Sequence, residues 1–265
     1  MAQVDVNAAV WQAGSFASDY DNRVLEPAEV LLLVRHREDL SGRVLDVGCG
    51  TGRLLGYLLA LGARAEAIDI SERMVQICRR RYPAADVRRG DLADLKAAVA
   101  GPFHAIWMSG NVLDVLDDER RRAALRDAHD LLVDDGLLLF SSHNLASLDH
   151  PSAALGAAPR LRARAVQLAN RSPAWMVHAV LRAPRRRANR RRLGPLQQRT
   201  DDHAIVNDEA HDYGLLHYYI SRREQERELS ELGFQPRDVL EFDGTAVADG
   251  QDGRGSSIYY TATVG

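Results

Sequence analysis

Lysine is almost missing from this chain: Lys96 stands alone beside 33 arginines. Cysteine is scarce as well. Cys49 and Cys78 are too few for a disulfide framework or a cysteine zinc site, and a reducing, cytoplasmic location is the expectation. No apolar run approaches the ~20 residues that span a bilayer. Met1 to Asp21 lacks a basic segment followed by an apolar core, so no secretory signal is expected. What remains is ordinary for a globular protein: 265 residues, 46% apolar and 27% charged. Such a composition excludes disorder as the main state and excludes a collagen-like scaffold. The length suits one large domain, or one domain with a sizeable insert.

The charge is unevenly spread. Between Pro151 and Thr200 there are twelve arginines and no acid, while the whole chain carries −3. The remainder therefore carries −15. A strongly basic segment is set on an acidic body. The arginine and alanine bias is that of a GC-rich, bacterial-type genome, so arginine abundance alone says little.

Periodicity and punctuation give a series of elements. Asn22 to Leu40 is expected to form a helix with Pro27 near its start. Arg43 to Val47 is a short apolar strand running into Gly48-Cys49-Gly50-Thr51-Gly52. A helix from Arg53 to Leu61 stops at Gly62. Arg64 to Ile68 is a second strand ending at Asp69. Ser71 can cap a helix to Tyr82, which Pro83 terminates. Asp86 to Arg89, Phe103 to Met108 and Gly136 to Ser142 are three more strands, with an amphipathic helix from Asp117 to Val133 before the last. The alternation then stops. Leu145 to His217 shows no clear strand and holds the basic segment. Ser221-Arg222-Arg223-Glu224 is a capping box opening a helix to Leu232. Val239 to Phe242 and Ser257 to Val264 complete the strands. The pattern predicts an α/β fold, a doubly wound, mostly parallel sheet of seven strands. Residues 1–144 and 218–265 would form the core, and 145–217 an inserted, basic, α-helical cap.

The stretch Val44 to Gly52 carries the most information. A buried strand meets a glycine-rich turn and a helix begins at once. Glycine lets the backbone turn sharply and approach a ligand, and a helix N-terminus suits a carboxylate or phosphate. The dehydrogenase fingerprint G-x-G-x-x-G is not met, because the third glycine arrives one residue early at Gly52 and Arg53 takes its place. Asp46 lies inside an apolar strand, where an unpaired carboxylate is costly. It is expected to meet a backbone N–H or a ligand ammonium. Asp69 ends the second strand, where a carboxylate can take both hydroxyls of a ribose. Asp91 ends the third, in reach of an adenine amino group.

Together, Asp46 to Gly52, Asp69 and Gly90-Asp91-Leu92 resemble the class I S-adenosylmethionine-dependent methyltransferases. The resemblance covers about Phe16 to Phe140 and the final two strands. It implies a Rossmann-like methyltransferase fold whose last strand, Ser257 to Val264, is antiparallel. It implies S-adenosyl-L-methionine as cofactor. Asp46, Gly48, Cys49, Gly50 and Gly52 would hold the methionine part, Asp69 and Ile70 the ribose side, and Asp91 and Leu92 the adenine. Ser109 and Asn111, after the fourth strand, would line the methionine side. Phe16 and Tyr20-Asp21 resemble the family's segment that closes over the cofactor, with Tyr20 as a contact.

Methyl transfer from a sulfonium is an in-line displacement that gains from alignment. A hydroxyl or protonated amine also needs a proton acceptor. Sites in open α/β sheets lie beyond the carboxyl ends of the strands. His143, directly after the fifth strand, is the first candidate base. His217 and Tyr219 share one face of an extended segment and can act together, while His211 is a lesser candidate. Ribose methylation by a lysine-based tetrad is excluded with only Lys96 present. Neither an Asn-Pro-Pro-Tyr nor an Asp-Pro-Pro-Tyr run exists, and neither cysteine is placed for covalent attack on cytosine. No cluster has metal spacing, so no metal is expected. Asp114, Asp117 and Asp118 read as the solvated start of a helix.

The basic insert runs from Trp175 through Arg182, Arg185-Arg186-Arg187 and Arg190-Arg191-Arg192. It can contact an anionic substrate, lie on an anionic membrane with Trp175, Val177 and Leu181 in the interface, or simply balance the acidic body. Nucleic acid is disfavoured, since RNA-binding signatures are missing. The expected function is methyl transfer to a hydroxyl or amine of a small or carrier-linked acceptor, sugar-containing or anionic. Two alternatives stand beside it: a non-catalytic cofactor-binding scaffold or sensor docked through the arginines, and a nicotinamide-dependent oxidoreductase.

Overall fold

Apolar strands build the central sheet, and the first three end at glycine or aspartate. The computed structural model describes residues 3–13, 24–149 and 173–265. In chain order the elements are α1 (Gln3–Gln12), α2 (Pro27–Arg35), β1 (Arg43–Val47), α3 (Arg53–Ala60), β2 (Arg64–Asp69), α4 (Glu72–Arg81) and β3 (Asp86–Arg89). They continue with α5 (Leu95–Ala98), β4 (Phe103–Met108), α6 (Asp118–Leu131), β5 (Leu132–Asn144), α7 (Ala146–Asp149) and α8 (Pro173–Leu193). Last come β6 (Gln198–Arg199), β7 (His203–Val206), β8 (His217–Ile220), α9 (Arg222–Glu231), β9 (Phe234–Glu241) and β10 (Ser257–Val264).

The order β3-β2-β1-β4-β5-β10-β9 supplies the seven expected strands. All are parallel except β10, which runs against both β5 and β9. Successive side chains alternate between the two faces. Leu45, Ile106, Leu138 and Tyr260 join one apolar cluster beneath α6 and α9. Val44, Ala105, Trp107, Leu137 and Tyr259 join another beneath α2, α3 and α4. Both faces are covered, which is why these strands read as continuous apolar runs.

The helix starts follow their caps. Pro27 opens α2, where the backbone N–H of Glu26 donates to Glu29 Oε2 at 2.7 Å. Asp117 caps α6 by accepting from Arg120 N at 3.1 Å, and Ser221 caps α9 by accepting from Glu224 N at 3.2 Å. Helix α2 is shorter than the expected Asn22 to Leu40, because the chain leaves it at His36 and makes a separate short turn at Asp39–Ser41.

The seven-stranded core is as expected, and the sheet continues past it to ten strands, with short strands as well as helix in the insert. β6, β7 and β8 form an antiparallel run, and β8 lies parallel to β5 with His143 beside Tyr219 and Asn144 beside Ile220. Along β5, β4 pairs as far as Phe140, and β10 occupies the other edge from Leu137 to His143. β8 therefore takes the edge that β4 leaves, beyond the carboxyl end of β4. Short, partly polar strands of two to four residues gave no alternation long enough to read.

Candidate active site

A cavity of about 350 Å³ lies beyond the carboxyl ends of β1, β2 and β4. Its floor is the loop after β1. The backbone N–H groups of Gly48 and Cys49 donate to Ile68 O at 2.8 and 3.0 Å, which ties the loop to β2. Gly50 and Gly52 both have left-handed backbones, with φ of 55° and 87°. They serve different ends. A Cβ on Gly52 would sit 2.6 Å from Cys78 Sγ and 2.7 Å from the Tyr82 ring. A Cβ on Gly50 would meet nothing within 4 Å, because that position borders the cavity.

Three carboxylates surround this floor. Asp69 accepts from Gly50 N at 2.9 Å and from Ser71 N at 2.8 Å. Burial raises its pKa, and those two donors oppose the rise. Asp91 accepts from Ala93 N at 2.9 Å and lines the cavity with Leu92 and Ile70. Asp46 is buried, and its Oδ2 has no hydrogen-bond partner. Burial pushes its carboxyl up to about 7, with Asp69 and Glu29 adding to the rise and Arg53 opposing it. One half of the sequence expectation is met by a backbone bond to Leu55. The other oxygen is free to accept from a bound cation.

Arg53 and Ser109 belong to a cluster that the sequence did not reveal. Glu29 is fully buried and receives Arg53 through both guanidinium ends, with Arg53 Nη2 to Oε1 at 2.8 Å. Ser109 donates to the same carboxylate and accepts from Arg53 Nη2 at 3.0 Å. Asn111 has a left-handed backbone and donates from Nδ2 to Ser257 Oγ at 2.8 Å. Its Oδ1 is buried without a partner. Both Ser109 and Asn111 line the cavity, as does Cys49. The Cys49 thiol is pushed well up by a hydrogen bond to Cys78 and by burial. Tyr20 and Phe16 lie outside the described residues.

Helix α1 was not expected. Asn7, Ala8 and Trp11 on it line the cavity. Val6 packs in an apolar cluster with Leu193, Leu216 and Ile220, and amide side chains hold the helix beside it. Asn7 Nδ2 donates to Val115 O and Leu216 O, both at 2.7 Å, and Asn7 Oδ1 accepts from Leu216 N at 3.0 Å. Gln3 Nε2 donates to Leu116 O and Leu216 O, both at 3.1 Å.

On the far wall the β5–β8 pairing brings the three predicted acceptor-side residues together. The His143 ring stacks on His217 and Tyr219, with centroids 4.9 and 4.7 Å apart. His217 Nδ1 and Asp208 Oδ2 are 2.7 Å apart, and Tyr219 donates its hydroxyl to the same oxygen at 3.0 Å. The Tyr219 phenol is raised far above its ordinary range, first by burial and then by Asp208, so it stays protonated. It orients Asp208 and does not accept a proton. Burial works to raise the Asp208 carboxyl, but the hydrogen bond and charge of His217 outweigh it and hold it at about 2.

Behind His143 stands Asp114, and here the sequence reading is corrected. Asp114 is not a solvated helix start; it is fully buried. It accepts from Arg121 Nη1 and Ser142 Oγ, both at 2.7 Å, and from the His143 backbone N–H at 2.6 Å. His143 Nδ1 lies 2.8 Å from its Oδ2, without hydrogen-bond direction. Asp118 is likewise engaged, accepting from the Tyr218 hydroxyl at 2.6 Å. His143, Asp208 and His217 bring ligand-type atoms within 4.8 Å of one another, the grouping of this kind found among the described residues. Asp208 Oδ2 is already taken by His217 and Tyr219, so the arrangement suits proton transfer better than metal coordination.

The family model for a methyltransferase domain matches residues 44–136. The chain is 31% identical over 137 residues to the ubiquinone biosynthesis O-methyltransferase of Xanthomonas axonopodis pv. citri (strain 306), covering 50% of this chain and 56% of that one. It is 38% identical over 69 residues to the dTDP-3-amino-3,6-dideoxy-alpha-D-glucopyranose N,N-dimethyltransferase of Streptomyces fradiae, covering 26% and 27%. The chain thus spans about half or less of the length of these curated relatives. Its fold matches an S-adenosylmethionine-dependent methyltransferase from Clostridium acetobutylicum ATCC 824 with a TM-score of 0.61 at 14% identity, over 96% and 99% of the two chains. Residues 44–136 thus match a methyltransferase domain, and the fold is the one seen in S-adenosylmethionine-dependent methyltransferases. No described helix is long and apolar enough to cross a membrane.

Proposed function

We propose that this protein transfers a methyl group from S-adenosylmethionine to a hydroxyl or amine of a small or carrier-linked acceptor. One observation carries the reading. A single cavity joins the glycine loop and the three carboxylates to the paired histidines of β5 and β8. The donor set fits the cofactor. The partnerless Asp46 Oδ2 would accept from the methionyl ammonium, the open position at Gly50 would admit its backbone, and Asp69 and Asp91 would hold ribose and adenine. S-adenosylmethionine supplies an activated methyl on sulfur, transferred by in-line displacement.

The protein's own task is to align the acceptor and take its proton. The sequence favours His143 as base through its position after β5. The directed bond to Asp208 favours His217, because a carboxylate fixes the tautomer and stabilises the imidazolium that forms. In this reading the acceptor proton moves to the free ring nitrogen of His217, Asp208 stays ionised, and the Asp114-backed His143 ring packs beside it. Residues 145–217 build the acceptor side. The names of the relatives, one an O-methyltransferase and one an N,N-dimethyltransferase of an amino sugar, accord with either acceptor atom and with a sugar-bearing acceptor.

Calorimetric titration with S-adenosylmethionine and S-adenosylhomocysteine tests the reading. Micromolar binding that Asp69→Ala abolishes is expected. A folded protein that binds neither would end it.

A further inference from the structure

Seven arginines and no acid lie between Arg182 and Arg192 on α8. Arg182 and Arg186, Arg186 and Arg190, and Arg187 and Arg191 are like-charge neighbours four residues apart, each pair unfavourable to a helix by itself. The turn at 209–213 relieves one face. Arg182 Nε lies 3.8 Å from Asp212 Oδ2, and Arg186 Nη2 lies 3.5 Å from Glu209 Oε2. The guanidinium groups of Arg186 and Arg190 sit over the Tyr213 ring at 5.2 and 4.8 Å. Asn189 Nδ2 donates to Asp212 O at 3.0 Å, and Leu193 is fully buried.

This docking fixes where the remaining charge points. Ala210 and His211, in the same turn, line the cavity that holds His143 and His217. α8 is thereby clamped to the rim of the acceptor side. Its other face presents Arg187, Arg191 and Arg192, all exposed, and these make no ion pair among the described residues. Three guanidinium groups within about one and a half helical turns match the oxygens of a phosphate or diphosphate, which arginine takes bidentately. The chain outside residues 151–200 carries −15, so this rim is where an anion is drawn in.

We propose that the Arg187, Arg191 and Arg192 face of α8 binds the phosphate or diphosphate of the acceptor, which enters the cavity past His211 while its anionic handle stays on the helix. The inference rests on the reading of the cavity as a methyltransferase acceptor site. A lipid surface fits less well. An interfacial helix needs a broad apolar face, and on the described part of α8 the exposed large apolar side chain is Leu181. The side chains of Trp175 and Val177 lie outside the described residues.

The test is calorimetry of the full chain at low ionic strength with inorganic pyrophosphate. Thymidine diphosphate and coenzyme A are titrated next, to separate a nucleotide handle from a pantetheine one. The wild type should bind pyrophosphate, and the R187Q/R191Q/R192Q variant should bind it at least tenfold more weakly with unchanged affinity for S-adenosylhomocysteine. Tighter binding of either organic diphosphate supports the proposal and names the handle. Equal pyrophosphate binding by the variant overturns it. So does wild-type binding to phosphatidylserine vesicles without binding to pyrophosphate. Loss of S-adenosylhomocysteine binding by the wild type would instead remove the active-site reading beneath it.

Discussion

His217 Nδ1 lies 2.7 Å from Asp208 Oδ2, and Tyr219 donates to that same oxygen at 3.0 Å. One carboxylate thus orients the ring that faces the cavity and is itself held by a phenol that cannot compete for the proton.

Replacing His217 by Ala should lower turnover by about 10²–10⁴-fold, the usual worth of a positioned base, and leave S-adenosylhomocysteine affinity unchanged. Asp208→Asn should follow it closely, and Tyr219→Phe should cost less. Single-turnover assays with a hydroxyl or amine acceptor that the wild type methylates, beside cofactor calorimetry, give the comparison. Full turnover in the His217 variant would return the role to His143.

The two perturbed carboxyls should leave opposite marks on stability. Asp208 has a folded pKa of about 2 against an ordinary 3.8. Its contribution, about 2 kcal/mol, is complete above pH 4 and is lost as the pH falls towards 2. Asp46 is raised from 3.8 to about 7 by burial. It favours the folded chain at low pH, and that advantage, at most about 4 kcal/mol, is lost as the pH rises from 4 to 7. Asp46→Asn should therefore raise Tm at pH 8 and leave it nearly unchanged at pH 4. Thermal melts across that range would show it. A parallel pH profile in the variant would mean that Asp46 titrates normally.

Asp114→Ala should destabilise by about 3 kcal/mol, because it leaves buried Arg121 short of a partner. Arg121 keeps Glu228 and Gln225, which places the cost at the low end. Urea melts measure it. A loss under 1 kcal/mol would show that those two partners suffice.

Two glycines should separate folding from binding. Gly52→Ala meets Cys78 and Tyr82 and adds left-handed strain, costing roughly 2–4 kcal/mol. Gly50→Ala carries strain alone, roughly 1–2 kcal/mol. Its methyl would enter the cavity and weaken cofactor binding. Melts and calorimetry on both variants distinguish the two effects.

The strands β1, β3, β4 and β10 end where the sequence placed them. β1, β4 and β10 are mostly buried runs, β3 is a short one around Val87, and glycine, aspartate or proline near their ends makes such boundaries local. Asp69 and Asp91 were legible for the same reason, since a strand end fixes them. Asp114 was not. Among Asp117 and Asp118 it looks solvated, and its partners Arg121, Ser142 and His143 meet it only once α6 and β5 are packed. Glu29 was hidden likewise, its partner Arg53 lying across a strand and a loop. Helix α1 rests on Gln3 and Asn7, whose amide bonds leave no periodic trace. His143, His217 and Tyr219 were read as one group, but the strand pairing that joins them was not.

That pairing sets the distance between His143 and His217 through one rung of the backbone ladder, His143 beside Tyr219. The spacing does not depend on the path the chain takes between them. Provided that Asp208 keeps its bond to His217, the residues before it can be lengthened, trimmed or rewritten to suit a new acceptor while the two rings stay in register. Acceptor choice and chemistry can therefore evolve as separate parts of the same wall.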